Sequence, residues 1–76
     1  MNPSTVLRLA DAFDYRTEEE RYVLEIGARA GTWPATIYNA TRLGYLERTR
    51  RAYFRPTERL WLEVERAHKI RQERTI

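Results

Sequence analysis

Two glycines bracket the most restrictive segment of this 76-residue chain. Gly31 follows a stretch in which apolar residues recur at helical spacing, at the position where a residue with left-handed backbone commonly ends a helix. Gly44 follows a second such stretch. Between them, Pro34 suits the first turn of a new helix, and Thr32 is placed to cap it. The segment therefore predicts a tight turn followed by a helix over residues 33–43.

Hydrophobic periodicity places other helices on both sides of this segment. Apolar residues at helical spacing predict helices over residues 4–13, 17–30 and 57–75. Beyond the second glycine the period shortens, and two runs rich in aromatic and branched residues, 45–50 and 52–55, predict an antiparallel hairpin. The pattern is thus three helices, a hairpin and a closing helix.

The start of the second helix is marked by the run Thr17-Glu18-Glu19-Glu20. Such a run has the form of a capping box, with carboxylates at the positive end of the helix dipole. The buried face of this helix is predicted to consist of Tyr22, Val23, Ile26 and Ala30. Both signals are local, and together they predict a helix that begins at Thr17.

The order of elements, with a turn of about three residues between the second and third helices, is that of a winged helix-turn-helix. We therefore expect a mainly α fold with a small two-stranded β-hairpin, as a single domain over residues 1–76. A domain of this size buries only about 60% of the surface that its unfolded chain exposes. The chain has no cysteine, so disulfides and thiolate-bound metal cannot add stability. Dimerisation is the remaining candidate for a source of additional stability.

Positive charge is concentrated in the second half of the chain. Residues 42–76 hold ten Lys/Arg side chains and five acids, whereas residues 1–41 hold four arginines and six acids. Within residues 42–55, five arginines stand against the single acid Glu47. This density is typical of a nucleic-acid contact, although arginines on a hairpin also serve as a solvated edge that blocks aggregation. We expect the segment to contact nucleic acid, with duplex DNA as the favoured partner.

Two stretches of the basic half resemble MarR- and PadR-type bacterial regulators: RLGYLER at 42–48 and RAYFRPTE at 51–58. They are similar to the recognition-helix end, the wing and the start of the last helix in that family. The matching positions are Gly44, Tyr45, Leu46, Arg48, Tyr53, Phe54, Thr57 and Glu58. The chain departs from the family at Pro56 and Leu60 and has a shorter wing tip. The resemblance covers roughly residues 33–67 and implies a DNA-binding domain.

This resemblance implies separate roles within the basic segment. Helix 33–43 would enter the major groove, where each base pair shows a distinct pattern of donors and acceptors. The implied base contacts are Thr36, Tyr38, Asn39 and Arg42, with Asn39 suited to adenine and Arg42 to guanine or a flanking phosphate. The implied phosphate contacts are Thr32 and, in the wing 45–55, Arg48, Arg50, Arg51 and Arg55. The chain is then expected to be a sequence-specific regulator of transcription, a repressor acting in the cytoplasm and encoded by a bacterium, phage or plasmid.

The last helix is predicted to join two copies of the chain into a homodimer. Its apolar stripe consists of Leu60, Trp61, Val64, Ala67 and His68, and it continues to Ile70. A small domain leaves little to cover this stripe, and two-fold operators are read by two-fold proteins. Trp33 and Trp61 are both interpreted as core or dimer anchors. His68 is interpreted as a packing residue, because no cysteine or second histidine can complete a metal site.

Other functions leave weaker signals in the sequence. Catalytic triads, zinc sites and phosphate-binding loops need clusters of Cys, His or Gly, which one histidine and three glycines do not provide. We therefore expect no enzyme activity, cofactor or metal, and the short apolar runs predict no signal peptide or membrane span. Two alternatives stay open. One is a module that binds a host protein, as a phage factor would, and the other is an excisionase-like architectural protein that bends DNA.

Overall fold

The structure of the chain, a computed structural model, describes the backbone of residues 1–74 and the side chains of residues 1–69. In chain order its elements are α1 (Pro3–Asp11), β1 (Arg21–Tyr22), α2 (Val23–Ala30), α3 (Pro34–Arg42), β2 (Leu46–Arg50), β3 (Tyr53–Pro56) and α4 (Glu58–Arg74). Three helices, a hairpin within a three-stranded antiparallel sheet and a C-terminal helix give an order consistent with a winged-helix-like topology. Residue 75, the predicted end of the last helix, lies outside the described residues.

The first helix, α1, forms close to its predicted range of residues 4–13. Pro3 occupies the first turn, where a backbone N–H is not needed, and the Asn2 side chain accepts a hydrogen bond from the Ser4 N–H at 2.8 Å. The predicted inner face is buried and consists of Val6, Leu9, Ala10 and Phe13. α1 packs against α2 and α4, so the N-terminal helix is part of the core.

The second helix, α2, begins at Val23, and the prediction of a start at Thr17 is wrong. The Thr17 hydroxyl accepts a hydrogen bond from the Glu19 N–H at 3.2 Å, which closes a local turn instead of capping a helix. Glu20, the expected partner in the capping box, accepts a hydrogen bond from the Thr49 hydroxyl in the hairpin. A tertiary contact therefore overrides the local capping signal.

The residues before α2 form a third strand that the sequence pattern does not reveal. Arg21 pairs with Phe54 and Tyr22 with Tyr53 in antiparallel register, which gives the strand order β1-β3-β2. The Tyr22 ring, predicted to be buried, is exposed and lies 5.5 Å from the Tyr53 ring. β1 covers the edge of β3 that a hairpin alone would leave unpaired. The predicted two-stranded wing is thus a three-stranded sheet.

The two glycines that bracket the third helix have the predicted backbone conformation. Gly31 ends α2 with a φ of 66°, and Gly44 follows α3 with a φ of 89°. Both angles favour a residue without Cβ. The predicted cap is wrong, because Trp33, and not Thr32, is the N-cap residue of α3, and no side chain caps the helix. The helix itself lies inside the predicted range 33–43.

Contacts from the start of α4 fix the C-terminal end of α3. The Thr57 hydroxyl lies 2.6 Å from the Gly44 carbonyl oxygen and 3.0 Å from that of Tyr45. The Arg59 guanidinium donates to the Leu43 carbonyl at 2.7 Å and covers the Tyr45 ring. Carbonyls at the end of a helix lack partners within the helix, so these donors satisfy groups that would otherwise need water. α3 is thereby held in place against the last helix.

The hydrophobic core lies between the helices and the sheet. Its six largest fully buried side chains come from all four helices and from both strands of the hairpin: Leu9, Ile26, Ile37, Leu46, Phe54 and Leu60. Among the described side chains, no polar or charged residue is buried with them. In the described part of the chain, every helix is too short or too polar to cross a bilayer.

An N-terminal clamp, formed by Tyr15, Arg16, Glu58 and Glu65, joins the loop after α1 to α4. The Arg16 guanidinium reaches Glu65 at 2.6 Å and Glu58 at 3.2 Å, and the Tyr15 hydroxyl donates to Glu65 at 2.6 Å. The Tyr15 ring also meets the Trp61 ring edge to face, with centroids 5.6 Å apart. Arg16 has a left-handed φ of 59°, a strained conformation for a residue with Cβ. The clamp holds this strained residue in place.

The N-terminal clamp is expected to make stability depend on pH in the acid range. Hydrogen bonds from Tyr15 and Arg16 hold the pKa of Glu65 below its ordinary value. The stabilisation is therefore present above the pKa of the unfolded carboxyl and is lost as the pH falls through the lower pKa of the folded state. We expect Glu65→Gln to be less stable than the wild type at neutral pH, and the difference to shrink on acidification. Urea denaturation at a series of pH values measures it.

Glu63→Gln is the matched control for this experiment. Glu63 lies on the same helix, and its carboxylate forms no ion pair with the side chains of residues 1–69. Its replacement should leave the pH profile of stability like that of the wild type. A stability loss in Glu65→Gln that is equally large at neutral and acid pH would contradict the assignment to this carboxylate.

Candidate nucleic-acid interface

The exposed side of α3 presents a row of side chains to solvent. Ile37 and Ala40 turn inward and are fully buried, and helical periodicity directs the residues on the opposite side of the helix outward. These outward residues, which we call the α3 row, are Ala35, Tyr38, Asn39 and Arg42. Thr36 is half-buried at the margin of the row. Three of the four predicted base contacts thus share one exposed face, and the fourth borders it.

Two members of the α3 row are hydrogen-bonded to each other. Nη2 of Arg42 donates to Oδ1 of Asn39 at 2.7 Å. The amide oxygen keeps a second lone pair, and the amide nitrogen keeps both hydrogens, so Asn39 can still pair with a base edge. The bond restrains two exposed side chains and lowers the entropy that a ligand contact would remove.

Tyr38 connects the α3 row to the sheet. Its ring packs edge to face against Phe54, with centroids 5.4 Å apart, while half of the side chain stays exposed. Arg48 is the cross-strand partner of Phe54, and such partners project from the same face of a sheet. Arg48 therefore stands on the side of the sheet that faces α3.

The opposite side of the sheet, which we call the outer face, carries two of the predicted phosphate-binding arginines. Tyr53 and Arg55 flank Phe54 along β3, so they project away from α3. Arg50 is the cross-strand partner of Tyr53, and Glu47 that of Arg55. A bulge in β2 just before Arg50 changes the alternation of its side chains. The predicted set of phosphate contacts is divided between the two sides of the sheet.

Both arginines of the outer face are paired with carboxylates. Nη2 of Arg55 lies 2.7 Å from Glu47, and this hydrogen-bonded contact raises the pKa of Arg55 above its ordinary value. Nε of Arg50 lies 2.8 Å from Glu20, and its guanidinium carbon is 3.8 Å from the centroid of the Tyr53 ring. The positive charge of the outer face is thereby largely compensated within the protein.

Arg48 and Arg51 differ from this compensated pair. Both are exposed, and neither forms an ion pair with the side chains of residues 1–69. Arg51 lies in the turn at the tip of the hairpin, where Ala52 takes a left-handed φ of 66°. Together with Arg42 on the α3 row, they offer positive charge that no described carboxylate neutralises.

Thr32, the remaining predicted phosphate contact, is half-buried in the turn before α3. Its N–H donates to the Gly27 carbonyl at 2.9 Å. A Cβ on Gly27 would lie 2.9 Å from the Thr32 carbonyl oxygen, so the close approach of this turn to α2 depends on glycine. The phosphate role of Thr32 stays a prediction.

The predicted dimer residues lie mostly inside the protomer. Three of them are buried in its own core: Leu60, Trp61 and Val64. The expectation that the domain leaves this stripe uncovered is wrong for these three, because α1 packs against α4. Ala67 is half-buried and His68 is exposed, and the side chain of Ile70 lies outside the described residues. Only the far end of the stripe is therefore accessible to a second copy.

Two residues near α3 have positions that the sequence pattern does not reveal. Trp33, interpreted as a core or dimer anchor, is 79% exposed, whereas Trp61 is 4% exposed, as expected of a core residue. The turn before Trp33 and the proline after it are the signals that favour exposure. Arg59, which fixes the end of α3, makes contacts that only the tertiary structure defines.

The described side chains hold no group of three or more His, Cys, Asp or Glu residues arranged around a metal-sized site. Comparison of the chain with protein-family models, with curated proteins and with solved structures gives no significant match. The functional interpretation therefore depends on the α3 row and on the charges of the two sides of the sheet.

Proposed function

We propose that the chain is a sequence-specific double-stranded DNA-binding regulator of transcription, a repressor built on a winged helix-turn-helix of the MarR and PadR kind. The observation that carries the proposal is the α3 row. It places polar side chains on a short helix whose C-terminal end is held by Arg59 and Thr57. A single helix fits the major groove, and α2, the tight turn and α3 would form the helix-turn-helix.

In this proposal the α3 row reads bases. An asparagine amide pairs bidentately with the N6 and N7 edge of adenine, and an arginine pairs with guanine. Asn39 supplies the first contact, and its hydrogen bond from Arg42 orients the amide before DNA arrives. Arg42 then reaches either a neighbouring guanine or a phosphate. Thr36 and the exposed half of Tyr38 lie close enough to the row to add contacts at its margin.

The sheet would bind phosphates with one side and with its tip. Arg48 on the side toward α3 and Arg51 at the tip are uncompensated among the described side chains, so both are free to replace counterions on the duplex. Glu20 and Glu47 on the outer face would repel phosphates if that face were turned toward DNA. The distribution of charge therefore favours one orientation of the sheet, with the outer face away from the duplex.

Replacing Asn39 by alanine is expected to relax the sequence preference at one position of the bound site. A bidentate contact to adenine discriminates against a wrong base by about 1–3 kcal/mol, which is about 5- to 150-fold in affinity. Selection from a pool of randomised duplexes measures this effect. The wild type should enrich a site with a preferred adenine, and Asn39→Ala should enrich the same site without that preference.

Arg8→Ala is the matched control for the selection, because Arg8 is an exposed residue of α1, a helix that belongs neither to the proposed helix-turn-helix nor to the sheet. It should enrich the wild-type site. If the wild type retains and bends duplexes but enriches no particular sequence, the excisionase-like alternative would be favoured. A wild type that retains no duplex would contradict DNA binding, and binding of a host protein would become the better hypothesis.

We also propose that the chain binds its operator as a homodimer. The accessible part of α4, with exposed Leu62 and His68, is the candidate contact. A two-fold dimer requires two inverted half-sites about 10 base pairs apart, or a multiple of that spacing. The selected sequences therefore report on the oligomeric state, and an operator with a single unrepeated element would contradict the dimer.

A further inference from the structure

Trp33 is the large apolar side chain that the fold leaves most exposed among the described residues. It is 79% exposed, and the next, Tyr15, is 63% exposed but is held by a hydrogen bond to Glu65. An indole can bury about 150–250 Å², so leaving it in water forgoes one of the larger stabilising contributions open to a small domain. Packing within the protomer therefore does not explain why tryptophan stands at this position.

The backbone that carries Trp33 is fixed. Pro34 restricts the residue before it to extended conformations, and Trp33 has a φ of −90° and a ψ of 156°. Its carbonyl accepts hydrogen bonds from the N–H groups of Thr36 and Ile37, at 3.0 and 3.4 Å, in the first turn of α3. The indole thus projects from a rigid point, which reduces the entropy lost when it meets a partner.

Trp33 stands at the N-terminal end of the α3 row. When a helix-turn-helix docks, the N-terminal residues of the recognition helix are those that reach the DNA. The exposed residues that line a shallow groove together with Trp33 are small: Ala28 and Gly31. A Cβ added to Gly31 would meet no atom within 4 Å, and the first turn of α3 has no acidic residue. A phosphate backbone can therefore approach this point without steric or electrostatic obstruction.

We infer that Trp33 contacts the sugar–phosphate backbone at the edge of the groove entered by α3, with its ring on a deoxyribose and its Nε1–H donated to a phosphate oxygen. The inference rests on the proposed function and deepens it. The indole has one donor and no acceptor, which matches a surface of apolar sugars and acceptor oxygens. Trp33 is thus a positioning residue that sets the depth and angle at which the α3 row meets the bases.

Binding of Trp33→Ala, Trp33→Phe and Tyr22→Ala to a pool of random duplexes of about 30 base pairs, long enough for two half-sites, tests the inference. Trp33→Ala should bind about tenfold more weakly than the wild type, the loss expected for one hydrogen bond to a charged group. Trp33→Phe keeps a ring but no donor and should be intermediate. Tyr22→Ala removes an exposed aromatic ring from the outer face of the sheet, which is turned away from the duplex in the proposed orientation, and should bind like the wild type. The salt slope should not change in any of them, because no counterion-releasing charge is removed.

Fluorescence gives a second readout from the same proteins. Trp61 is buried and Trp33 is exposed, so subtracting the spectrum of Trp33→Phe from that of the wild type isolates the emission of Trp33. We expect this emission to shift to shorter wavelength, and to become protected from acrylamide, when duplex is added. Because Trp33 is exposed, the thermal midpoint of Trp33→Ala should equal that of the wild type.

Several results would overturn the inference while leaving DNA binding intact. They are wild-type affinity in Trp33→Ala, unchanged Trp33 emission at saturating duplex, and a lowered thermal midpoint in Trp33→Ala, which would show that the ring packs within the protomer. An equal loss of affinity for single-stranded DNA would also overturn it, in favour of stacking on unpaired bases. If the wild type binds no duplex, both the inference and the proposed function are wrong.

Discussion

A protein in which Arg48 and Arg51 are both replaced by alanine is expected to bind duplex DNA about 60-fold more weakly than the wild type near 0.1 M salt. Each phosphate that a protein neutralises adds about 0.9 to the slope of log K against log salt. Two lost contacts therefore remove about 1.8 decades of affinity between 1 M and 0.1 M salt. Titration of a labelled duplex at several salt concentrations measures both the affinity and the slope, which should fall in magnitude by about 1.8.

The outer face supplies a control that is matched in the number of arginines removed. Removing Arg50 together with Glu20, and Arg55 together with Glu47, also deletes two arginines of the wing but takes their ion-pair partners with them. We expect this protein to keep the affinity and salt slope of the wild type. A loss as large as that of the Arg48 and Arg51 variant would contradict the division of the sheet into a binding side and an outer face.

Phe54→Ala is expected to destabilise the protein by about 3–5 kcal/mol, the range for deletion of a buried aromatic ring. Phe54 is fully buried at the centre of the sheet, where it pairs with Arg48 on one side and Arg21 on the other. It also supports Tyr38 of α3. Stabilities of whole domains are about 5–15 kcal/mol, and small domains stand at the lower end, so much of the protein should be unfolded near 37 °C. Urea denaturation followed by circular dichroism measures the loss.

Phe54→Leu separates loss of volume from loss of the aromatic ring. Leucine refills much of the cavity, so we expect a cost of about 1–2 kcal/mol. Tyr22→Ala, on the exposed edge of the same sheet, should cost less than about 1 kcal/mol. If Phe54→Ala lost no more stability than Tyr22→Ala, the core would not be organised around this ring.

The elements best predicted from sequence are those whose signals are local. The spacing of Val6, Leu9 and Phe13 indicates α1 because one helix face holds all of them. Gly31 and Gly44 bracket α3 correctly because each needs a positive φ. The same periodicity also indicates that Ala35, Asn39 and Arg42 lie on the exposed side of α3, although their contact with DNA stays a prediction.

The third strand could not be predicted, because its cause is not local. Residues 17–20 have a valid capping signal, yet Glu20 is drawn to Thr49 in the hairpin. Arg21 and Tyr22 then satisfy backbone groups of β3, and a strand of two residues has no period to detect. The local signal for a helix start was therefore outweighed by contacts with the hairpin, which is far away in sequence.

The distribution of the wing arginines over both sides of the sheet could not be predicted for a related reason. Regular alternation would place Arg48 and Arg50 on the same side of β2. Because a bulge lies between them, the two side chains project from opposite sides of the sheet. No residue in this stretch is of a type that would predict a bulge. In α4, an apolar stripe containing Leu60 and Val64 looks the same whether α1 or a second copy covers it, which is why three of the predicted dimer residues proved to be buried in the core.

The packing of α1 against α4 has a consequence for how the chain folds during synthesis. Tyr15 and Glu65 in the N-terminal clamp are 50 residues apart, and translation adds about 5–20 residues per second. The first helix, which also packs against α2, therefore remains for several seconds without the cover that α4 provides. The contact between α1 and α4 can form only after residues 58–65 have been made, so a polypeptide that stalls before them would expose part of an apolar helix to chaperones and proteases.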